Sequence, residues 1–277
     1  MFALPDHHLV TLRGRDAAAF AHAQFMSDVA ALADGQWQWS GWLMPKGRVI
    51  ALFALLKADA ETIALVLHDA DPAQFAAQLQ RFVFRSKVAI ETGELEVGGS
   101  FEGHADAGGA RAAMAPDGFA FDFGGDGGPR TLWAGPRLEA VEDAGACARW
   151  AAFDVAHGLP RLPESQAGQW TPQQLSLDRL RAYSVKKGCY PGQEIVARTH
   201  FLGQAKRGLV LFECDAPLAA GQQVMDQERA LGTIASAATS AGRHLALAVL
   251  PLDAPTAAAA VDGHSLRPLP LRDGLAR

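Results

Sequence analysis

The stretch WQWSGWLMPKGRVIALFALL, residues 37–56, predicts a β-hairpin and thereby sets the fold of the first half of the chain. Residues 37–43 alternate apolar and polar side chains, as a strand does when one of its faces is buried. Pro45, Lys46 and Gly47 are typical turn residues. Residues 48–56 then form a second apolar run. We therefore predict two antiparallel strands joined by this turn.

The segments on either side of the hairpin predict an α+β unit. Their order, β-α-β-β-β-α-β, is close to the ferredoxin-like plan, in which two helices cover one face of an antiparallel sheet. The additional predicted elements are strands over residues 8–12 and 62–67 and near Val88, a helix over 14–32 with Asp16 as its N-cap, and an amphipathic helix over 72–84.

The second half predicts less regular structure and then a small β domain. A glycine-rich stretch (98–136) with two short strands precedes a helix at about 146–157 and a proline-interrupted loop over 160–174. We expect another helix from near Pro191 to near Gly203. Short strands at 208–213, 222–225, 231–235 and 244–250 favour a closed or sandwich-like module. We place the boundary at about Gln204, giving domains 1–203 and 204–277.

Composition excludes several classes of protein. The 277 residues are 49% hydrophobic and 20% charged, which is ordinary for a globular chain. No apolar run reaches the roughly 18 to 20 residues of a membrane span, and the N-terminus lacks the pattern of a secretory signal, so we predict a cytoplasmic protein. Three cysteines, Cys147, Cys189 and Cys214, are too few and too widely spaced for a disulfide framework.

Charge is distributed unevenly along the chain. The formal net charge is -5, yet residues 179–207 contain seven Lys or Arg and a single acid, Glu194. A solvated basic face and a local anion site are the two interpretations of this basic window.

The cysteine segment, which we define as residues 186–198, lies inside that window. Pro191 suits the first position of a helix, which would put Cys189 just ahead of the helix N-terminus. The dipole there favours a thiolate by about 0.3 to 1 kcal/mol, so Lys186 or Lys187 would have to contribute to its ionisation. A buried, inert cysteine is the alternative.

Other chemistries lack their motifs. There is no HExxH, and His7 and His8 on one strand would point to opposite faces, so we predict no metal site. The glycines match neither a Walker A loop nor a dinucleotide fingerprint. No G-x-S-x-G elbow is present.

The run KGCYPGQEIVAR, residues 187–198, resembles the signature K-G-C-Y-x-G-Q-E of the YgfZ family of folate-binding proteins, which are relatives of the glycine cleavage T protein. Trp150 with the following Gly158-Leu159-Pro160, and Thr171-Pro172-Gln173, also resemble family blocks. Near the N-terminus, residues 14–17, 27–29 and 45–48 do so as well, and the likeness runs over most of the chain.

The resemblance implies two ferredoxin-like halves and a C-terminal β-barrel arranged as a ring around a central hole. It further implies an accessory factor that binds tetrahydrofolate or another folate form and supports the assembly or repair of iron–sulfur enzymes, including those that modify tRNA. Cys189 would be its essential thiol, and the protein would act as a monomer that meets tRNA only indirectly. The implied folate-binding residues are Trp150, Asp178, Lys187, Tyr190, Gln193, Glu194 and Arg198.

Residue chemistry agrees with such a ligand. A pterin needs a flat ring for stacking, a carboxylate for its aminopyrimidine edge, and cations for its glutamate tail. Trp150, Asp178 and the basic window supply these groups, although a core tryptophan and a helix cap are alternative roles for the first two. Two further hypotheses are a true aminomethyltransferase and an RNA-binding module that uses the basic window.

Overall fold

The computed structural model describes residues 1–93, 95–136, 138–203 and 205–277. Within them the chain is a mixed α+β fold with three antiparallel sheets. The helices are α1 (Ala17–Gln24), α2 (Pro72–Gln80), α3 (Ala144–Ala156) and α4 (Gln193–Phe201). The strands up to α3 are β1 (Phe2–Ala3), β2 (His7–Arg13), β3 (Gln36–Leu43), β4 (Val49–Lys57), β5 (Thr62–His68), β6 (Ala89–Thr92), β7 (Glu96–Ser100), β8 (Ala113–Ala115), β9 (Gly118–Asp122) and β10 (Thr131–Gly135). The strands after α4 are β11 (Arg207–Cys214), β12 (Gln223–Asp226), β13 (Arg229–Ser240), β14 (Arg243–Pro251), β15 (Ala259–Val261), β16 (His264–Ser265) and β17 (Arg267–Leu269).

The first sheet has the strand order β3-β4-β5-β2-β6 and confirms the element order predicted for this half. The hairpin β3–β4 lies at its edge, joined by the predicted turn. Helices α1 and α2 contribute Phe20 and Phe75 to a buried cluster that also contains Phe53 of β4. The two helices therefore cover one face of this sheet.

The helix predicted over residues 14–32 is wrong in its extent, because α1 ends at Gln24. Phe25 forms an isolated bridge with Trp42, and the backbone N–H of Met26 donates to the carbonyl of Gly41. These contacts with β3 thus use backbone hydrogen-bonding groups that a longer helix would need. A short 3₁₀ turn, Val29–Ala31, follows, capped by Asp28.

The second sheet has the order β1-β7-β10-β9-β8. In the described part of this half a single helix, α3, lies on the sheet, and it also packs against β13 on its other side. Residues 172–181 form successive turns where a second covering helix would be needed. This half therefore departs from the ferredoxin-like plan.

The C-terminal sheet is a nearly closed, barrel-like sheet with the order β16-β15-β12-β13-β14-β11-β17. Its two edge strands, β16 and β17, are separated in sequence only by Leu266, so the edges lie close together. The predicted boundary residue, Gln204, lies outside the described residues.

The C-terminal tail leaves this sheet and returns to the N-terminal region. Trp39 Nε1 donates to the carbonyl of Leu275 at 2.6 Å, and Arg277 donates to the carbonyl of Asp122. One continuous core therefore joins all three sheets. None of the helices in the described ranges has the length and apolar composition that crossing a bilayer requires.

Candidate functional site

Cys189 is exposed in a loop that precedes α4. The helix begins at Gln193 rather than at Pro191, and its N-cap Gly192 adopts a left-handed conformation with φ of 78°. Gly192 and Gly47 of the β3–β4 turn lie against each other, and a Cβ at Gly192 would come within 2.7 Å of the Gly47 Cα. The turn predicted from sequence thus supports the loop that carries the thiol.

A shallow cavity of about 420 Å³ lies beside the thiol. It is lined by Cys189, Pro45, Tyr190, Gln193 and Glu194, among others. The cysteine segment therefore brings its residues together at one surface that a ligand or a partner can reach.

Lys187 does not point toward that surface. Its side chain is buried, and its ammonium donates to the carbonyls of His22, Phe25 (2.5 Å) and Ser27 (3.1 Å) at the end of α1. Burial lowers the pKa of Lys187 to about 8. The ammonium neutralises orphan carbonyls at a helix C-terminus, which is a structural role. In this structure the Lys187 ammonium is engaged with the protein itself, and its role in folate binding stays a prediction.

Tyr190 and Gln193 hold the loop from the inside. The hydroxyl of Tyr190 donates to the carbonyl of Ser184 at 3.1 Å, and burial raises the pKa of Tyr190. Gln193 Nε2 donates to the carbonyl of Lys187 at 3.0 Å. Both side chains are therefore engaged with the protein itself.

The remaining predicted residues lie apart from the inner side of the loop, where Tyr190 and Gln193 are held. Glu194 and Arg198 are exposed on α4. Asp178 is exposed in the turns before the cysteine segment, and burial together with the charge of Asp178 raises the pKa of Tyr183 to about 12. Trp150 is 0% exposed, so it does not form an open stacking surface in this structure.

Trp150 instead belongs to a polar centre of the core, which we call the central chamber and define by His7, His68, Arg130, Trp150 and Asp154. His7 and His68 are cross-strand partners on β2 and β5, with ring centroids 4.6 Å apart. Arg130 donates to Asp154 at 2.8 Å and lies over the ring of Trp150. Where the prediction expects a central hole, these side chains and neighbouring aromatic rings pack against one another.

Several polar atoms of the central chamber are buried without a hydrogen-bond partner. They are both ring nitrogens of His7 and of His68, Trp150 Nε1, Arg130 Nη2 and Asp154 Oδ2. Burial lowers the pKa values of both histidines well below the usual range and raises that of Asp154. Each unpaired buried polar group costs about 1 to 3 kcal/mol of folding free energy. Because several lie close together here, they favour the binding of a polar ligand.

A surface cavity lies close to the central chamber, because its lining residue Arg161 approaches Asp154. Its volume is about 300 Å³, and it is also lined by Asp6 and Asp69, the sequence neighbours of the two histidines. Arg161 pairs with Asp69 at 2.5 Å and approaches Asp154 at 3.8 Å. Donors, acceptors and an aromatic ring together fit the polar edge of a pterin. Trp150 and Asp154 lie four residues apart on α3, and this spacing is the feature of the sequence that indicates that the two side chains share one face of the helix.

Comparisons with known proteins agree with this fold. No protein-family model matches the chain. A protein called "tRNA-modifying protein YgfZ" from Aliivibrio fischeri is 29% identical over 276 residues, covering 90% of this chain and 84% of the relative. Its namesake from Klebsiella pneumoniae is 28% identical over 237 residues, covering 76% and 70%. The chain is similar to proteins of the YgfZ family over most of its length.

The fold of this chain is also that of the glycine cleavage T protein. The crystal structure of aminomethyltransferase T from Bartonella henselae matches with a TM-score of 0.78 over 97% of this chain and 84% of the other, at 16% identity. An uncharacterised protein of Haemophilus influenzae is 28% identical over 213 residues, covering 76% of this chain and 72% of the relative. At 16% identity the match to the T protein shows a common fold, and the site has to be argued from this chain's own residues.

Proposed function

We propose that this YgfZ-like protein is a cytoplasmic, folate-binding accessory factor that supports iron–sulfur cluster assembly or repair and thereby tRNA modification. The single observation that carries the proposal is the exposed Cys189, presented by a loop that Lys187 and Gly192 hold in place. The names of the curated relatives support the link to tRNA. In this proposal the protein works as a monomer, and its effect on tRNA modification is exerted through its partner enzymes.

The other two cysteines have structural surroundings. Cys147 is partly buried, its thiol contacts the carbonyl of Ala3 at 3.1 Å, and burial raises its pKa. Cys214 is buried in the C-terminal sheet. Thiol chemistry requires access to the sulfur, so Cys189 is the residue that can meet a partner protein or a cluster. The exposed Glu194 and Arg198 flank it and are available to the same partner.

The experiment is complementation of a strain that lacks the corresponding gene. We expect Cys189→Ala to leave iron–sulfur enzyme activity and tRNA thiolation near the level of the deletion strain. Cys214→Ala and Cys147→Ala serve as matched controls and should restore both readouts, provided that blotting shows equal protein levels. Full restoration by Cys189→Ala would refute an essential thiol.

We propose the central chamber and the nearby surface cavity as the folate site. The unpaired polar atoms of Trp150, His7 and Asp154 would bind the pterin edge. Bound tetrahydrofolate would supply a one-carbon acceptor or a reduced ring. The protein's contribution is to bind, orient and shield it.

Calorimetric titration of tetrahydrofolate tests this site. Trp150→Phe keeps an aromatic ring in the core but removes Nε1–H, and we expect about fivefold weaker binding, the value of one ordinary hydrogen bond. Trp42→Phe is the control, because Trp42 Nε1 is also buried without a partner but lies outside the central chamber. Equal affinity of both variants and the wild type would place folate elsewhere.

The fold shared with the T protein favours aminomethyltransferase activity as the second candidate function. Purified protein mixed with tetrahydrofolate and aminomethylated, lipoylated carrier protein decides between the two. We expect no release of ammonia above the blank, whereas turnover would make the protein an enzyme of glycine cleavage.

A further inference from the structure

A groove between α3 and the C-terminal sheet collects arginines without a matching set of acids. Its volume is about 380 Å³, within the roughly 300 to 1,000 Å³ common for small-molecule pockets. Arg149 comes from α3, Arg243 from β14 and Arg272 from the C-terminal tail. Among the described residues that line it, none is an acid.

The charges of these arginines are poorly compensated. Within the described residues, Arg149 and Arg272 have no carboxylate within 4 Å. Arg243 pairs with Glu213 at 2.6 Å, but Glu213 also pairs with Arg267, so one carboxylate serves two guanidinium groups. Three guanidinium groups around a concave surface favour an anion that can accept several hydrogen bonds.

The groove also has a flat surface of the right kind for a base. Arg149 lies over the ring of Phe101 at 3.8 Å, and Phe101 in turn stacks on Phe2. Arg149 and Phe101 both line the groove, so a guanidinium group and an aromatic ring in contact form part of its wall. Nucleobases stack on such planes.

Backbone geometry brings Arg272 close to this surface. A Cβ at Gly127 would lie 2.9 Å from Arg272 Nη1, so the guanidinium lies directly against the Gly127 backbone. The backbone N–H of Arg272 donates to the carbonyl of Ala156 at the end of α3. The tail is therefore fixed to the helix that carries Arg149.

We propose that this groove binds the phosphate of a nucleotide unit between Arg243 and Arg272 and stacks the base on Arg149. A free mononucleotide and a nucleotide within an RNA strand share this chemistry. The groove is lined by different residues from the central chamber, so the proposal does not rest on folate binding.

The test is binding of AMP and of a fluorescein-labelled single-stranded RNA decamer to the full-length protein at low salt. We expect both to bind if the strand enters the groove, and AMP alone to bind if free nucleotides are its ligands. Arg272→Gln should weaken binding about tenfold, since it removes charge-assisted hydrogen bonds. Arg229→Gln is the matched control, because Arg229 is exposed at the end of β13 opposite to Ser240, which lines the groove; a fully straight strand would separate them by at most about 35 Å.

A second variant separates charge from stacking. Arg149→Lys keeps the charge but loses the planar group, so we expect it to weaken AMP while leaving ribose 5-phosphate unaffected. Tetrahydrofolate affinity should stay constant in every groove variant. Absence of binding by both AMP and RNA, or an equal loss in Arg229→Gln and Arg272→Gln, would overturn the proposal.

Discussion

A single lysine ammonium joins the cysteine segment to the first helix. Lys187 contacts three carbonyls at the end of α1, from residues more than 150 positions away in sequence. Its adjacent neighbour Lys186 is exposed. The pair offers a comparison in which only one of two adjacent lysines has a structural role.

We expect Lys187→Met to lower the free energy of unfolding by about 2 to 4 kcal/mol, because it strands buried carbonyls that a charged donor satisfied. Lys186→Met should change it by less than about 0.5 kcal/mol. Urea denaturation followed by circular dichroism measures both. Similar values for the two variants would show that the ammonium of Lys187 does not anchor the segment.

His157 makes stability depend on pH. Its Nε2 accepts the backbone N–H of Gly127 at 3.1 Å, and its Nδ1 lies 2.7 Å from the carbonyl of Phe153, so the neutral ring satisfies both contacts. Burial lowers the pKa of His157 to about 4. In the unfolded chain His157 binds a proton near pH 6.5, whereas in the folded chain it stays neutral until the pH approaches 4. This contribution is complete above pH 6.5 and is lost as the pH falls toward 4.

His157→Gln should therefore flatten the decline of the unfolding free energy between pH 6.5 and pH 4, although its value at pH 7 is lower. The decline should not vanish, since burial shifts the pKa values of His7 and His68 in the same direction. Urea unfolding at a series of pH values measures the slope. The exposed His264, changed to Gln, is the control, and an unchanged slope in His157→Gln would contradict the assignment.

At the level of elements, the start of α4 depends on glycine. Gly192 has a positive φ and contacts the backbone of Gly47, whereas nothing lies within 4 Å of a Cβ placed at Gly188. The two glycines bracket Cys189. One of them is required by geometry, and the other is open to substitution.

Gly192→Ala should cost about 2 kcal/mol or more, since an alanine there combines a left-handed conformation with a backbone clash. It should also loosen the loop and change the rate at which Cys189 reacts with a disulfide reagent. Gly188→Ala should alter both by little. Thermal unfolding and thiol titration are the measurements, and equal tolerance of the two changes would mean that the β3–β4 turn does not support the loop.

For the whole molecule, the C-terminal tail ties the third sheet to the first two. Leu275 is 2% exposed in the shared core, whereas Leu252 is 71% exposed on the C-terminal sheet. One leucine thus lies in a contact between the sheets and the other lies on the surface. Replacing each leucine by alanine compares the two environments directly.

Leu275→Ala should lower the free energy of unfolding by about 2 to 5 kcal/mol, as for other buried leucines, and Leu252→Ala by much less. Differential scanning calorimetry should also show whether the unfolding peak splits, which would indicate that the tail couples the regions. A Leu275→Ala protein as stable as the wild type would assign the coupling to other contacts.

The sequence by itself determined the first sheet and the location of the thiol. The alternation over residues 37–43, the apolar run over 48–56 and the Pro45-Lys46-Gly47 turn act through neighbours along the chain, as do the glycines and proline around Cys189. Their consequences can therefore be predicted locally. Tertiary structure alone decided that α1 stops at Gln24, that Trp150 is buried and that Lys187 faces α1. It also paired His7 with His68 and placed Arg149, Arg243 and Arg272 around one groove. Those outcomes depend on contacts between distant segments, and the free energy of such contacts is absent from any local pattern.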